Sequence, residues 1–186
     1  MATLNYHDYI AEESGISVVN MGVSGTGYAR KSSYGEAFHV RILGIPTDAD
    51  IVTIFGSFND IGANLEVGSI TDTGTTTLCG CINTTIDNLF DKFPLVRVGI
   101  ITPTPWHYKN LVPQNENTYV NAIINIARHR GIPCLDLFHE SGLRPWDETF
   151  RSIAYSNDSN GVHPDEYGHE MIAPIIYEFI KKLLIN

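Results

Sequence analysis

Ile51-Val52-Thr53-Ile54-Phe55-Gly56-Ser57-Phe58-Asn59-Asp60 joins a short apolar, β-branched run to a polar turn. A run apolar at nearly every position predicts a strand covered by helices on both faces, as in a parallel sheet. Three more runs of this kind stand at 16–23, 96–101 and 133–138. Longer amphipathic stretches alternate with them and predict helices at 6–14, 81–92, 117–130 and 165–184. In the third, Tyr119, Ile123, Ile126 and Ala127 recur at helical spacing, and Gly131 followed by Pro133 supplies the stop. The last opens after Pro164 and carries Ile172, Ile175, Ile176, Phe179 and Leu183 as its apolar stripe. Strands alternating with helices predict an α/β fold, a parallel sheet joined by crossover helices.

With no internal repeat and no linker, the 186 residues predict one domain spanning 1–186. Hydrophobic residues make up 43% and charged residues 18%, a globular composition that excludes disorder as the default. Lys and Arg total 12 against 21 Asp and Glu, and the resulting charge of -9 repels a phosphate backbone and an anionic membrane surface. Nucleic acid is therefore excluded as the expected partner. No apolar run approaches the ~20 residues of a bilayer span, so no membrane insertion is expected. The N-terminal residues lack the basic and apolar regions of a secretory signal, which makes a cytoplasmic location the default. Cys79, Cys81 and Cys134 are odd in number and have no second Cys/His cluster, so they read as buried or idle thiols.

Three segments could carry chemistry. Asn20-Met21-Gly22-Val23-Ser24-Gly25-Thr26-Gly27 is a glycine-rich turn leaving a predicted strand, where backbone N–H groups can face an anion or a developing oxyanion. Its order, G-x-x-G-x-G, is wrong for a dinucleotide fingerprint, and a Walker A loop would need Gly where Arg30 stands. In Gly56-Ser57-Phe58-Asn59-Asp60, the Asn59 amide can donate to an oxyanion without bringing a charge, although Asn-Asp also suits a plain turn or cap. In Asn157-Asp158-Ser159-Asn160-Gly161-Val162-His163-Pro164, a carboxylate shortly before a histidine suits a general base and its orienting partner, or simply a helix start. A zinc site through His163, His169 and Glu170 fails, because H-E-x-x-H needs a second His where Ala173 stands. Two long irregular segments, 62–80 and 102–116, follow predicted strands and are placed to wall a site at the carboxyl ends of the sheet. The second contains Trp106, His107 and Tyr108.

Taken in this order, the three segments resemble the motif blocks of the SGNH hydrolases, also called GDSL-like lipases or acylhydrolases. The resemblance implies a flavodoxin-like, three-layer α/β/α sandwich. It also implies Gly25 as backbone oxyanion donor, Asn59 of the G-x-N-D-like block as side-chain donor, and His163 of the H-P block as general base. The family's first block, Gly-Asp-Ser, does not occur in the 186 residues, and Tyr6-His7-Asp8-Tyr9-Ile10 resembles the helix that follows it. The expectation is a fold lacking the usual first strand, truncated relative to the family, with its nucleophilic serine upstream of Met1. Ser24 and Ser57 lie inside blocks with other roles and are poor substitutes. The D-x-x-H pattern would put Asp where Asn160 stands. Either Asn160 orients His163 through its amide oxygen, or a local insertion brings Asp158 into place.

The activity implied is hydrolysis of a small acyl or acetyl ester on a carbohydrate or lipid-like molecule, with no metal or organic cofactor. The alternative is a catalytically dead module of the same fold that binds a glycan or a protein, as in a surface or phage-tail assembly.

Overall fold

The computed structural model describes residues 4–56, 58–62, 65–107 and 113–185. In chain order the elements are α1 (Tyr6–Ser14), α2 (Phe38–Arg41), a 3-10 turn (Ile42–Gly44), β1 (Ile51–Phe55), α3 (Phe58–Gly62), α4 (Leu78–Lys92) and β2 (Arg97–Ile101). They continue with α5 (Pro113–His129), β3 (Cys134–Leu135), α6 (Leu137–Glu140), α7 (Glu148–Ala154) and α8 (Glu166–Ile185). The chain gathers into two compact units, Met21–Pro103 with Leu111–Leu135, and Met1–Asn20 with Thr104–Asn110 and Asp136–Asn186.

The first of these holds the sheet, with strand order β1-β2-β3 and all pairs parallel. Ile51 lies opposite Arg97 and Phe55 opposite Ile101, and Ile100 and Ile101 then meet Cys134 and Leu135. α4 and α5 are the two crossovers. α4 begins three residues before the predicted start, because the Thr77 side chain accepts the Gly80 N–H at 3.1 Å and caps it there. Leu78, Ile82, Ile86 and Leu89 fall on one stripe of α4 and are all fully buried. α5 buries Tyr119, Val120, Ile123, Ile126 and Ala127, and starts at Pro113, whose missing N–H costs nothing in a first turn. It ends where the Ile132 N–H bonds to the Ala127 carbonyl and the Gly131 N–H to that of Arg128, the paired bonds of a Schellman stop.

In the other unit, α1 packs on α8. Asn5 and Asp8 form a capping box at the start of α1, and Ile10 is its buried contact. α8 presents Ile172, Ala173, Ile176, Phe179 and Leu183 as its buried face. Pro174 sits inside this helix on the exposed side, where the carbonyl it leaves unpaired can be solvated. Asp165 anchors the helix start by accepting from Ser156 and from the backbone N–H of Tyr167.

Two expectations for strands need correction. No strand forms over 16–23; Ile16, Val18, Val19 and Met21 stand exposed instead, Val19 at 62%. β-branched composition favours an extended backbone, but a strand exists only where another strand takes its N–H and C=O groups, and none of the described strands pairs with this run. The run predicted over 133–138 is a strand for only two residues, because Asp136 turns its side chain to the His139 N–H at 3.2 Å and starts α6.

Candidate active site

The glycine-rich turn is shaped by contacts that follow from its residue types. Thr26 closes it locally, its hydroxyl donating to the Val23 carbonyl at 2.7 Å and its N–H reaching the same carbonyl at 3.3 Å. Gly25 has φ +75°, and a β-carbon there would stand 3.0 Å from Ser32 Cβ, so both backbone and space call for glycine. Its N–H meets no acceptor among the described residues. Ser32 braces the turn by donating its hydroxyl to the Ser24 carbonyl at 2.8 Å. Ser24 itself is exposed.

Asn59 lies on α3, which directly follows β1. Its Nδ2 donates one hydrogen to the Thr26 carbonyl at 2.8 Å. An amide nitrogen has two hydrogens, so this bond orients the second while leaving it available. The structure therefore brings Gly25 and Asn59 together through the one residue between Gly25 and Gly27. Arg30 adds a further tie, its guanidinium donating to the Asn59 carbonyl at 3.1 Å. A backbone N–H in the turn and a side-chain amide anchored to the next residue of that turn can together stabilise an oxyanion. Ser57 lies outside the described residues.

His163 belongs to the other unit and is exposed. Asp158 reaches it at the backbone rather than at the ring: one carboxylate oxygen accepts the Val162 and His163 N–H groups at 3.1 and 3.0 Å, the other the Asn160 N–H at 2.9 Å. Asp158 thus closes the loop that presents His163. Asn160 is exposed, and its amide makes no hydrogen bond among the described residues. The loop is stitched to a second segment where the His107 N–H donates to the Gly161 carbonyl at 3.1 Å. Trp106 is buried with its ring edge-on to Phe138 at 5.1 Å, so these two residues of the irregular segment serve packing and bracing. Tyr108 lies outside the described residues.

Two further residues stand near these groups without a motif that marks their role. Asp60, beside Asn59, is fully buried, a cue visible only in the fold. His169 enters the sequence reading only as a failed zinc ligand, yet its ring is held down at about 4 by burial first, then by the neighbouring His7. Its ring stacks on Tyr6, whose own hydroxyl burial pushes up to about 12. Among the described residues no group of three metal-ligating side chains is gathered.

The sequence profile of the GDSL-like Lipase/Acylhydrolase family matches residues 2–171. No curated protein matches the chain. Among solved structures, a protein from Lactobacillus plantarum is similar at 26% identity with a TM-score of 0.84, over 98% of this chain and 89% of its own. A protein described as a possible lipase from Chitinophaga pinensis DSM 2588 shares the fold at 20% identity and a TM-score of 0.76, covering 100% of this chain and 91% of its own.

Proposed function

The chain belongs to the GDSL-like lipase/acylhydrolase family, and from that premise we propose that it contributes the oxyanion donors and the general base for hydrolysis of a small acyl or acetyl ester on a carbohydrate or lipid-like molecule. The observation that carries this reading is the pairing of the Gly25 N–H, which meets no acceptor among the described residues, with the Asn59 amide, which gives one hydrogen to Thr26 and keeps the other available among them. As a serine's oxygen adds to the ester carbonyl, negative charge gathers on the carbonyl oxygen, and these two N–H groups stabilise it without reorganising. His163 takes the serine's proton and returns it to the departing alcohol. Water then repeats the sequence on the acyl-enzyme and releases the acid. In this reading residues 1–186 act as one hydrolase domain, and the nucleophile belongs to a Gly-Asp-Ser block, which the 186 residues do not contain.

The decisive experiment uses the full natural polypeptide with p-nitrophenyl acetate and a fluorophosphonate probe. Turnover and labelling are expected, both lost in His163→Ala and turnover strongly reduced in Asn59→Ala. A folded protein that neither turns over ester nor takes the label would overturn the hydrolase reading. That outcome favours the binding module, which one observation supports: the Asp158 carboxylate is engaged by three backbone N–H groups instead of the His163 ring.

A further inference from the structure

Asp60 has no part in the chemistry just described, yet it is completely buried one residue from Asn59. Burying a carboxylate is costly unless hydrogen bonds replace its water. Here Oδ2 accepts the Tyr28 N–H at 2.7 Å, and Oδ1 accepts those of Ala29 and Arg30 at 3.1 and 2.8 Å. Three successive amides of the segment after the glycine-rich turn therefore converge on one side chain. Gly27 makes room for it: a β-carbon at that position would stand 2.4 Å from Asp60 Oδ2. The turn is closed on itself by the Gly27 N–H donating to the Arg30 carbonyl at 2.9 Å, so whatever holds 28–30 also holds 25–27.

α3 is thus tied to the turn at two adjacent residues, Asn59 through the Thr26 carbonyl and Asp60 through the 28–30 amides. The bonds at Asn59, to the Thr26 carbonyl and from the exposed Arg30 guanidinium, leave the turn able to pivot about one residue, and the carboxylate bonds to three backbone amides remove that freedom. We propose that Asp60 is the positioning residue of the oxyanion site, fixing the separation and angle of the Gly25 and Asn59 N–H groups through the backbone of Tyr28, Ala29 and Arg30. The consequence for catalysis rests on the ester-hydrolase reading, whereas the clamp is a property of the folded chain whether or not it turns over ester.

The test combines amide hydrogen exchange by NMR with steady-state kinetics on the full natural polypeptide, as wild type, Asp60→Asn and Gly27→Ala. Asn keeps the shape but turns a donor towards backbone N–H groups, and Ala pushes the carboxylate away while keeping its charge. In wild type the Tyr28 and Arg30 amides are expected to be strongly protected. In both variants they should exchange at least about tenfold faster, because their acceptor is lost, with displaced Gly25 amide and Asn59 side-chain resonances; displacing catalytic groups by even about 1 Å can cost about 10²-fold in rate. On a small ester, kcat should fall by about that factor with KM within about twofold, the mark of an interaction made in the transition state. Unchanged kcat in a variant with a lowered thermal midpoint would reduce Asp60 to a stabilising residue and overturn the proposal. So would wild-type Tyr28 and Arg30 amides that exchange as freely as exposed ones, a measurement that stands even if Asp60→Asn does not fold. Absence of ester turnover in wild type would sink the hydrolase reading and, with it, the catalytic role assigned to Asp60; the exchange data would then decide only whether the clamp exists.

Discussion

Mild acid should destabilise this protein through His169 before its paired carboxylates titrate. Burial lowers the ring from 6.5 to about 4, with His7 adding to the effect, while Asp165 and Asp8 oppose it and His163 contributes a smaller lowering. Its Nδ1 is buried without a hydrogen-bond partner among the described residues, so a proton placed there would find no acceptor among them. In the unfolded chain the ring titrates near 6.5. Between the two values the unfolded chain binds a proton that the folded chain refuses, so stability rises with pH across that window and is lost as pH falls from about 6.5 to about 4. At about 1.4 kcal/mol per tenfold change in proton affinity the full effect is about 3 kcal/mol. Solvent reaching part of the ring screens the effect and leaves about 2 kcal/mol. Against a total of about 5–15 kcal/mol that is a large fraction. Urea denaturation followed by circular dichroism, from about pH 7 to pH 4.5, would compare wild type with His169→Gln, which does not titrate. The wild type should lose about 2 kcal/mol more than the variant over that range. Parallel curves, or a wild type that gains stability on acidification, would refute the reasoning. Asp8 and Asp165 belong to a lower window: both are held below the ordinary 3.8, so their contribution disappears only on further acidification.

Asn59→Ala removes one oxyanion donor and should cost about 10²–10³ in kcat, with the thermal midpoint measured alongside to show that only about 1 kcal/mol of stability goes with the Thr26 bond. Ile82→Ala opens a cavity at a completely buried position of α4 and should cost about 2–5 kcal/mol in urea unfolding. Cys79 and Cys81, pushed up to about 11 by burial and more weakly by Asp72 and Asp60 respectively, should resist a thiol reagent near pH 8 until the protein is unfolded, as peptide mass mapping would show.

Much of the fold is legible along the chain because burial leaves a periodic trace. The stripe of α5 stands where its spacing predicts, that of α8 does so except that Ile175 is only half-buried, and the parallel pairing of 51–55 with 97–101 follows from two nearly all-apolar runs separated by an amphipathic one. Helix ends shift where a cap intervenes: Thr77 draws α4 forward, and Asp136 cuts the last strand to two residues. The run 16–23 fails for a different reason. Its composition suits a strand, but pairing needs a partner brought from elsewhere in the chain, and no local pattern encodes that partner.

The candidate site divides along the same line. By itself the sequence determined the residue types at the turn ends: a glycine where only glycine fits, a neutral amide after β1, and a histidine ahead of the last helix. Each is a local choice imposed by backbone conformation or by the chemistry of one side chain. Only tertiary structure decided what those groups bond to. Thr26 takes one hydrogen of Asn59, Asp60 gathers three amides from a segment thirty residues away, Asp158 spends its oxygens on its own loop, and His169 stacks half-buried on Tyr6. The physical reason is that a hydrogen bond or a desolvated charge depends on which distant groups converge, and convergence is a property of the folded chain rather than of any stretch within it.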